Sequence, residues 1–361
     1  AAEGLRFNPV RPRDASLSTF VKAEKINWSV KPDPAPRVIQ PRDPRYNTEL
    51  GRYLLPIEKK VYAAVDEVFG SPTIMSKYNS AELAQVLRDK WERFEHPVCV
   101  GMDASRFDQH VSVQALRFEH ELYYSIFGRD KFLHMLLSWQ IDNRGVARAH
   151  DGKFYYKKRG SRMSGDMNTS LGNKFLMCAM AYAYLSTLHF PVEFVNNGDD
   201  CLLILDKRNL KGLSSLETYF TDFGFKIVRE APVYEFEHIE FCQTKPVCCN
   251  GRWRMIRNVK TCLLKDVTSV NFGHDLVQYR SWLHDVAQCG LAFAGDCPVF
   301  CKFYRMLARF GHAGNYTNKG HEWSAYGRLS RHLLITESEP DAHGRYSFWL
   351  QTGISPDAQI E

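Results

Sequence analysis

The sequence predicts an α+β fold, an antiparallel sheet backed by helices with carboxylates at strand ends and turns. Three observations predict it. Short aliphatic or β-branched runs at 98–102, 192–195 and 201–205 are bounded by turn residues and read as strands. Longer segments between them repeat apolar residues at helical spacing. Their order through the middle of the chain is strand, helix, helix, hairpin, helix, strand.

Residues 1–62 are rich in Pro, Arg and Asp, with extended pieces such as 37–40, and predict a loop-and-strand layer. Residues 54–69 and 81–94 have helical composition. The run 98–102 predicts a buried strand ending at Asp103. Apolar residues at 113, 116, 122, 123, 126 and 127 predict a helix over 113–127, and 131–141 predicts another. Asp151-Gly152 is the turn of a hairpin through Phe154-Tyr155-Tyr156. The small and apolar residues of 170–188 predict a long helix. Asn196-Asn197-Gly198-Asp199-Asp200-Cys201 then joins two strands, with Asn-Gly-Asp as the hairpin signal. Leu210, Leu213, Leu216, Tyr219, Phe220 and Phe223 mark one helix face, with Gly224 as its cap and 225–228 as a strand. A further hairpin is expected from 239–243 and 252–256, with Asn250-Gly251 in its turn. From about 262 onward the composition is helical and ends in an acidic tail.

With 361 residues the chain can bury a large core, and its length suggests two or three subdomains. The net charge of +6 is unevenly spread. Residues 1–62 carry twelve Lys and Arg, Lys31 among them, against seven acids; residues 144–162 carry seven against Asp151 alone. Two basic segments suggest a polyanion held by more than one wall, although solvated surface loops have the same composition. The ten cysteines form no C-x-x-C pair and no regular framework, which suggests a reducing compartment. Cys178 and Cys201 lie in apolar runs and read as buried thiols, while Cys297, Cys301 and His312 fit no common zinc spacing. No apolar stretch is long enough to span a membrane. The chain starts without Met, as a fragment or a processed protein would.

The chemistry gathers at acidic positions. Asp199 and Asp200 sit side by side in a tight turn, comfortable only if solvated or bridged by a cation such as Mg²⁺. Asp103 ends an apolar strand, where a carboxylate serves as a helix cap, a turn residue or a ligand. Brought together, the three suit a two-cation site for displacement at phosphorus. Ser164-Gly165-Asp166-Met167-Asn168-Thr169 opens the long helix, as a capped helix start or as a place for phosphate or a nucleic-acid backbone.

In order, the chain therefore reads D-x4-D (Asp103, Asp108), S-G-x3-T-x3-N (Ser164 to Asn173) and G-D-D (Gly198 to Asp200). This resembles the A, B and C motifs of viral RNA-directed RNA polymerases, and the fuller wording resembles the tombusvirus and carmovirus branch of plus-strand RNA viruses. Residues 20–25 and 36–42 resemble the basic F motif of that family's fingers, and 241–246 resemble its E motif. Ser347-Phe348-Trp349-Leu350 also has the family's look.

The resemblance implies a right-hand polymerase fold of fingers, palm and thumb. Residues 1–97 would be mostly fingers, 98–261 palm with an interleaved fingers segment at about 128–162, and 262–361 thumb and tail. It implies template-dependent transfer of nucleotides from NTPs to an RNA 3′-hydroxyl, with two Mg²⁺ ions (Mn²⁺ as a substitute) held by Asp103, Asp199 and Asp200. Asp108 and Asn173 would read the ribose 2′-hydroxyl, with Ser164 and Thr169 positioning that network. Lys22, Lys25, Arg37, Arg42 and Arg45 would bind triphosphate oxygens. Lys157, Lys158, Arg159 and Arg162 would contact the RNA backbone, making binding salt-sensitive. Lys226 would be the general acid toward pyrophosphate. Expected partners are template and nascent RNA, NTPs, and other viral replicase and host proteins. The implied location is the host cytoplasm at membrane-associated replication sites, reached through parts outside this chain.

The family normally has more fingers sequence before the position of Lys22 and a membrane-targeting part, so either the chain is a compact or truncated core or those parts lie outside it. A reverse transcriptase shares the palm geometry, but Asp108 and Gly198 argue against it. An idle RNA-binding protein on the same fold has no need to keep all three metal aspartates.

Overall fold

The computed structural model describes residues 2–26, 33–270, 275–313, 325–336 and 338–361. Lys31 lies outside the described residues. Helices and sheets are mixed along the chain, consistent with the α+β expectation.

Ten strands are described: β1 (Leu17–Val21), β2 (Val38–Ile39), β3 (Pro97–Ala104), β4 (Asp142–Ala149), β5 (Gly152–Arg159), β6 (Val192–Asn197), β7 (Asp200–Asp206), β8 (Ile227–Arg229), β9 (Thr244–Cys249) and β10 (Arg252–Arg257). They form one sheet of order β6-β7-β3-β8, another of order β2-β1-β4-β5, and the β9–β10 hairpin. Every pairing in the first sheet is antiparallel. In the second, β1 runs parallel to β4.

Strands β3 and β7 are nearly continuous apolar runs because both faces of their sheet are covered. Alternate residues enter different cores, as a pleated strand requires. Val98, Val100, Met102, Cys201, Leu203 and Leu205 pack with the helices Pro44–Phe69, Val113–Phe127 and Thr169–Leu185. Cys99, Leu202, Ile204 and Val195 pack on the opposite side with helix Ser80–Trp91, Phe236 and Met255. A third core joins β9 and β10 to the C-terminal helices through Val247, Ile256, Phe293, Phe300, Tyr304 and Phe348.

Several expectations are corrected. The N-terminal loop-and-strand layer stops well before 62, because Asp43 caps helix Pro44–Phe69 and Pro44 takes its first position. An Asp-Pro pair is a helix-start signal that composition hides. The face running from Leu210 to Phe223 is split between a 3₁₀ segment, Lys207–Leu213, and helix Leu216–Asp222. Residues 239–243 form no strand. Phe241 and Thr244 bridge each other across a turn in which Cys242 and Gln243 both have positive φ, and β9 follows. The Asn250-Gly251 turn is as read, joining β9 to β10. The hairpin at Asp151-Gly152 is longer than expected, pairing 142–149 with 152–159. Among the described residues no helix is long and apolar enough to cross a membrane.

Leu203 is 1 % exposed in the middle of β7. Leu203→Ala is expected to lower unfolding stability by about 2–5 kcal/mol, through lost burial and a cavity the two-sided packing cannot close. Chemical denaturation measures it; a change under about 1 kcal/mol contradicts this account of the sheet.

Candidate active site

The register of β3 against β7 brings the first acidic motif to the second. Asp103 lies directly opposite Asp200, and Ala104 N–H donates to the Asp199 carbonyl at 3.2 Å. Residues directly opposite in an antiparallel pair point to the same face, so the Asp103 and Asp200 carboxylates project together. Asp199 sits beside them in the two-residue turn of the β6–β7 hairpin and is exposed. Gly198 fills the first turn position with φ 90, which an L side chain rarely adopts. Asn196, fully buried, clamps the turn: its Oδ1 accepts from Gly198 N–H and its Nδ2 donates to the Gly198 carbonyl.

Asp200 is half-buried, and its Oδ2 accepts from Cys242 N–H at 2.7 Å. Burial pushes the Asp200 carboxyl up to about 6 against the opposing pull of that N–H, and the Asp199 charge adds to the rise. Glu230 lies near the same strand end, its N–H donating to the Gly101 carbonyl. Burial raises its pKa, with Glu240 and then Asp103 adding to the shift. Acids that raise one another in this way favour an added cation. The donor set is all oxygen, the chemistry Mg²⁺ and Mn²⁺ prefer. Among the described residues no three acidic, His or Cys side chains enclose an ion by themselves. Mg²⁺ commonly completes its shell with water and substrate phosphate.

Asp108 and Asn173, far apart in sequence, meet: Asn173 Nδ2 donates to Asp108 Oδ1 at 2.7 Å. Asp108 lies in the short helix Phe107–His110 after β3, and Asn173 one turn into helix Thr169–Leu185. Burial raises the Asp108 carboxyl, the Asn173 amide and the Arg162 charge lower it, and Asp199 raises it again. The Ser164-Gly165 turn leads into the same helix. The Ser164 carbonyl accepts from Gln40 N–H at 2.7 Å. Gly165 has φ 121, and a Cβ there would press on the Pro41 backbone at 3.0 Å. Thr169 Oγ1 donates back to the Met163 and Asp166 carbonyls, so its hydroxyl braces this loop.

The basic residues divide sharply. Arg42 is 3 % exposed and does not reach into a substrate channel. Its Nε pairs with Asp166 Oδ1 at 2.5 Å, and its Nη atoms donate to the Ala15 carbonyl and Asn143 Oδ1. Arg162 is 2 % exposed and cannot touch an RNA backbone, because its guanidinium is ion-paired with buried Glu119. Arg45 is committed to Asp14 and the Asn8 carbonyl. Lys25 donates to the Lys265 carbonyl at 2.6 Å and lies over the Trp282 ring. The expected triphosphate contact of Arg42 and the RNA contact of Arg162 are therefore corrected, because buried acidic partners hold these two cations inside the protein, whereas Arg45 and Lys25 are half-buried. Lys22 and Arg37 remain at the surface, both within 4 Å of Glu24. Lys157, Lys158 and Arg159 are exposed along β5, and Lys226 is exposed just before β8.

Sequence reasoning missed Glu119 and Gln140, and it gave Asn168, Asp166 and Cys242 no role of their own within the motifs that contain them. A signal existed for the first. Leu116, Glu119, His120 and Tyr123 form the buried face of helix Val113–Phe127, so a charged residue occupies the apolar stripe at helical spacing. Cys297, in the turn before helix Phe300–Phe310, and Cys301, within that helix, are both buried, and the Cys297 thiol faces Cys249 at 3.2 Å.

Comparison with known proteins adds family-level information. A family described as "Viral RNA dependent RNA polymerase" matches residues 1–361. The chain is 46 % identical to an RNA-directed RNA polymerase of Tobacco necrosis virus (strain A), over 99 % of this chain and 50 % of that protein. It is 46 % identical to one of Cucumber necrosis virus, over 100 % and 44 %, and 42 % identical to one of Turnip crinkle virus, over 99 % and 47 %. The chain thus spans about half the length of the curated relatives it matches.

If Arg42 is structural, removing its counter-ion should unfold the protein rather than only slow a reaction. Asp166→Ala is expected to lower stability by about 3–5 kcal/mol, the usual cost of orphaning a buried charge. A denaturation midpoint close to that of the parent would return Arg42 to the list of ligand-binding cations.

Proposed function

The chain belongs to the viral RNA-dependent RNA polymerase family, which implies a right-hand polymerase fold; on that premise we propose that it carries the nucleotidyl-transfer centre of a template-dependent RNA polymerase. The observation that carries the reading is the register that sets Asp103 opposite Asp200 beside the exposed Asp199. In this reading the β6-β7-β3-β8 sheet belongs to the palm, within 98–261. Residues 1–97 and about 128–162 belong mostly to the fingers, and 262–361 to the thumb and tail.

Asp103, Asp199 and Asp200 would hold two Mg²⁺ ions, with Mn²⁺ as a substitute. Bound there, the ions would activate the RNA 3′-hydroxyl and neutralise charge on the leaving pyrophosphate. The chain's own residues do the rest. Asp200 keeps Oδ2 on Cys242 N–H, which limits the rotation of its carboxylate. Asp108 accepts from the ribose 2′-hydroxyl while Asn173 donates to both carboxylate and sugar, which favours ribonucleotides over deoxyribonucleotides. Ser164 and Thr169 brace the loop beneath that pair. Lys22 and Arg37 are the surface cations left to steer triphosphate. Lys157, Lys158 and Arg159 offer an exposed basic strand to the RNA backbone. Lys226, exposed and with its carbonyl held by Ser105 N–H, is the candidate proton donor to pyrophosphate. The proposed setting is replication of a plus-strand RNA genome in the host cytoplasm. Other replicase and host proteins would join it on membranes through parts outside this chain.

Extension of a short RNA primer–template with labelled NTPs and Mg²⁺ tests the reading. Asp199→Ala is expected to abolish incorporation while leaving RNA affinity within about twofold, since one exposed carboxylate contributes little to polyanion binding. Unchanged incorporation by the folded variant would sink the mechanism. Asp108→Ala is expected to narrow the preference for NTP over dNTP, and an unaltered ratio would refute its sugar-reading role.

A further inference from the structure

An asparagine that faces a carboxylate is useful only one way round. Its amide can turn either the NH₂ or the C=O end toward the acid, and the two ends are nearly isosteric. At Asn173 the choice is made by a third residue. Arg162 Nε donates to Asn173 Oδ1 at 3.0 Å, and on the other side Asn173 Nδ2 donates to Asp108 Oδ1 at 2.7 Å. A guanidinium has donors only. Flipping the amide would set NH₂ against guanidinium and C=O against carboxylate, two repulsive contacts in place of two bonds. Arg162 also holds the main chain of the pair, since its own N–H donates to the Asp108 carbonyl at 2.8 Å.

Arg162 is itself fixed from below. Its Nη2 pairs with Glu119 Oε2, and both side chains are fully buried. Glu119 Oε1 accepts from Tyr123 OH at 2.6 Å and from Asn168 Nδ2 at 2.5 Å, and Asn168 Oδ1 accepts from Gln140 Nε2 at 2.8 Å. The ion pair passes against helix Thr169–Leu185 at Gly172, where a Cβ would overlap both Arg162 Nη2 and Glu119 Oε1. The helix thus lacks a side chain at the residue just before Asn173. Stability alone gives no reason for this arrangement, because a buried ion pair is often no better than apolar residues of equal volume. Among the described residues no group donates to Asp108 Oδ2, which leaves that oxygen for a ligand hydroxyl.

We propose that Arg162, seated on Glu119 against Gly172, is a positioning residue for sugar selection: it orients the Asn173 amide so that Asp108 keeps one oxygen for the ribose 2′-hydroxyl. The proposal rests on the polymerase reading above. Arg162 touches no substrate. It acts through Asn173, and it favours the ionised, accepting form of Asp108 against the effect of burial.

The test is single-nucleotide incorporation on a short RNA primer–template, with kcat/KM measured for an NTP and its 2′-deoxy counterpart. Parent, Asp108→Ala, Arg162→Lys and Gly172→Ala are compared, with thermal melts to establish folding. Arg162→Lys keeps the charge opposite Glu119 but removes the Nε–H that reaches Asn173. The expected result is a roughly tenfold loss of NTP preference, the value of one hydrogen bond, carried by the NTP while dNTP incorporation changes by less than about twofold. Equal losses for both nucleotides, leaving the ratio intact, would overturn the proposal and make Arg162 a purely structural residue. If Arg162→Lys does not fold, Gly172→Ala is read the same way, since it keeps every polar group and displaces the pair by one methyl. An unchanged ratio in Asp108→Ala would refute the sugar-reading site itself. A lowered ratio there with an unchanged one in Arg162→Lys would refute only the positioning role. A parent without incorporation would end both.

Discussion

Two carboxylates face each other across the β3–β7 ladder, and the surrounding fold is arranged to keep them there. At about 5 Å and an effective dielectric of about 20, two such charges repel by roughly 3 kcal/mol. Strand pairing overcomes this because it is anchored elsewhere. The side chains of Val98, Cys99, Val100, Met102 and of Cys201 to Leu205 are buried on the two faces of the sheet, and a one-residue slip would turn each of them into the wrong core. The Asp103–Asp200 apposition is therefore imposed by nine apolar side chains rather than by any attraction between the acids. The rise of Asp200 to about 6 comes chiefly from its burial at this strand end, with the Asp199 and Glu230 charges adding to it.

The positive charges follow a corresponding division. Those that fold the protein are buried and matched: Arg42 on Asp166, Arg162 on Glu119, Arg254 on Asp296. Those that a polyanion can reach are exposed along β5 and around β1 and β2, some of them in surface pairs such as Lys22 and Arg37 with Glu24. Composition counts both kinds alike, so the basic segments at 1–62 and 144–162 overstate the charge that a ligand can reach.

What was legible in the sequence is what is local. The β6–β7 hairpin, the helix over 113–127, the strand into Asp103 and the turn at Asn250-Gly251 follow from spacing and turn chemistry. The pairing of Asp108 with Asn173 could be named from an ordered motif. Burial of Arg42 and Arg162 could not, because it depends on partners 124 and 43 residues away. Residues 239–243 misled for another reason. Ile239, Phe241 and their neighbours are apolar enough for a strand, yet Cys242 and Gln243 take left-handed backbone conformations that no periodicity reveals. That irregular turn is what delivers Cys242 N–H to Asp200.

The contact of Lys25 with the Lys265 carbonyl and the Trp282 ring spans 240 residues of chain, and Asn79 reaches the Arg331 carbonyl across 252. Closing loops of that length is entropically costly and raises contact order, which slows folding. The Lys25 tie waits for residue 265 and the Asn79 tie for residue 331. The segment around Lys25 is therefore among the last to be fixed. Until that tie closes, the stretch with Phe20 and Val21, apolar and open to solvent, is exposed to chaperones and proteases while the rest of the molecule assembles.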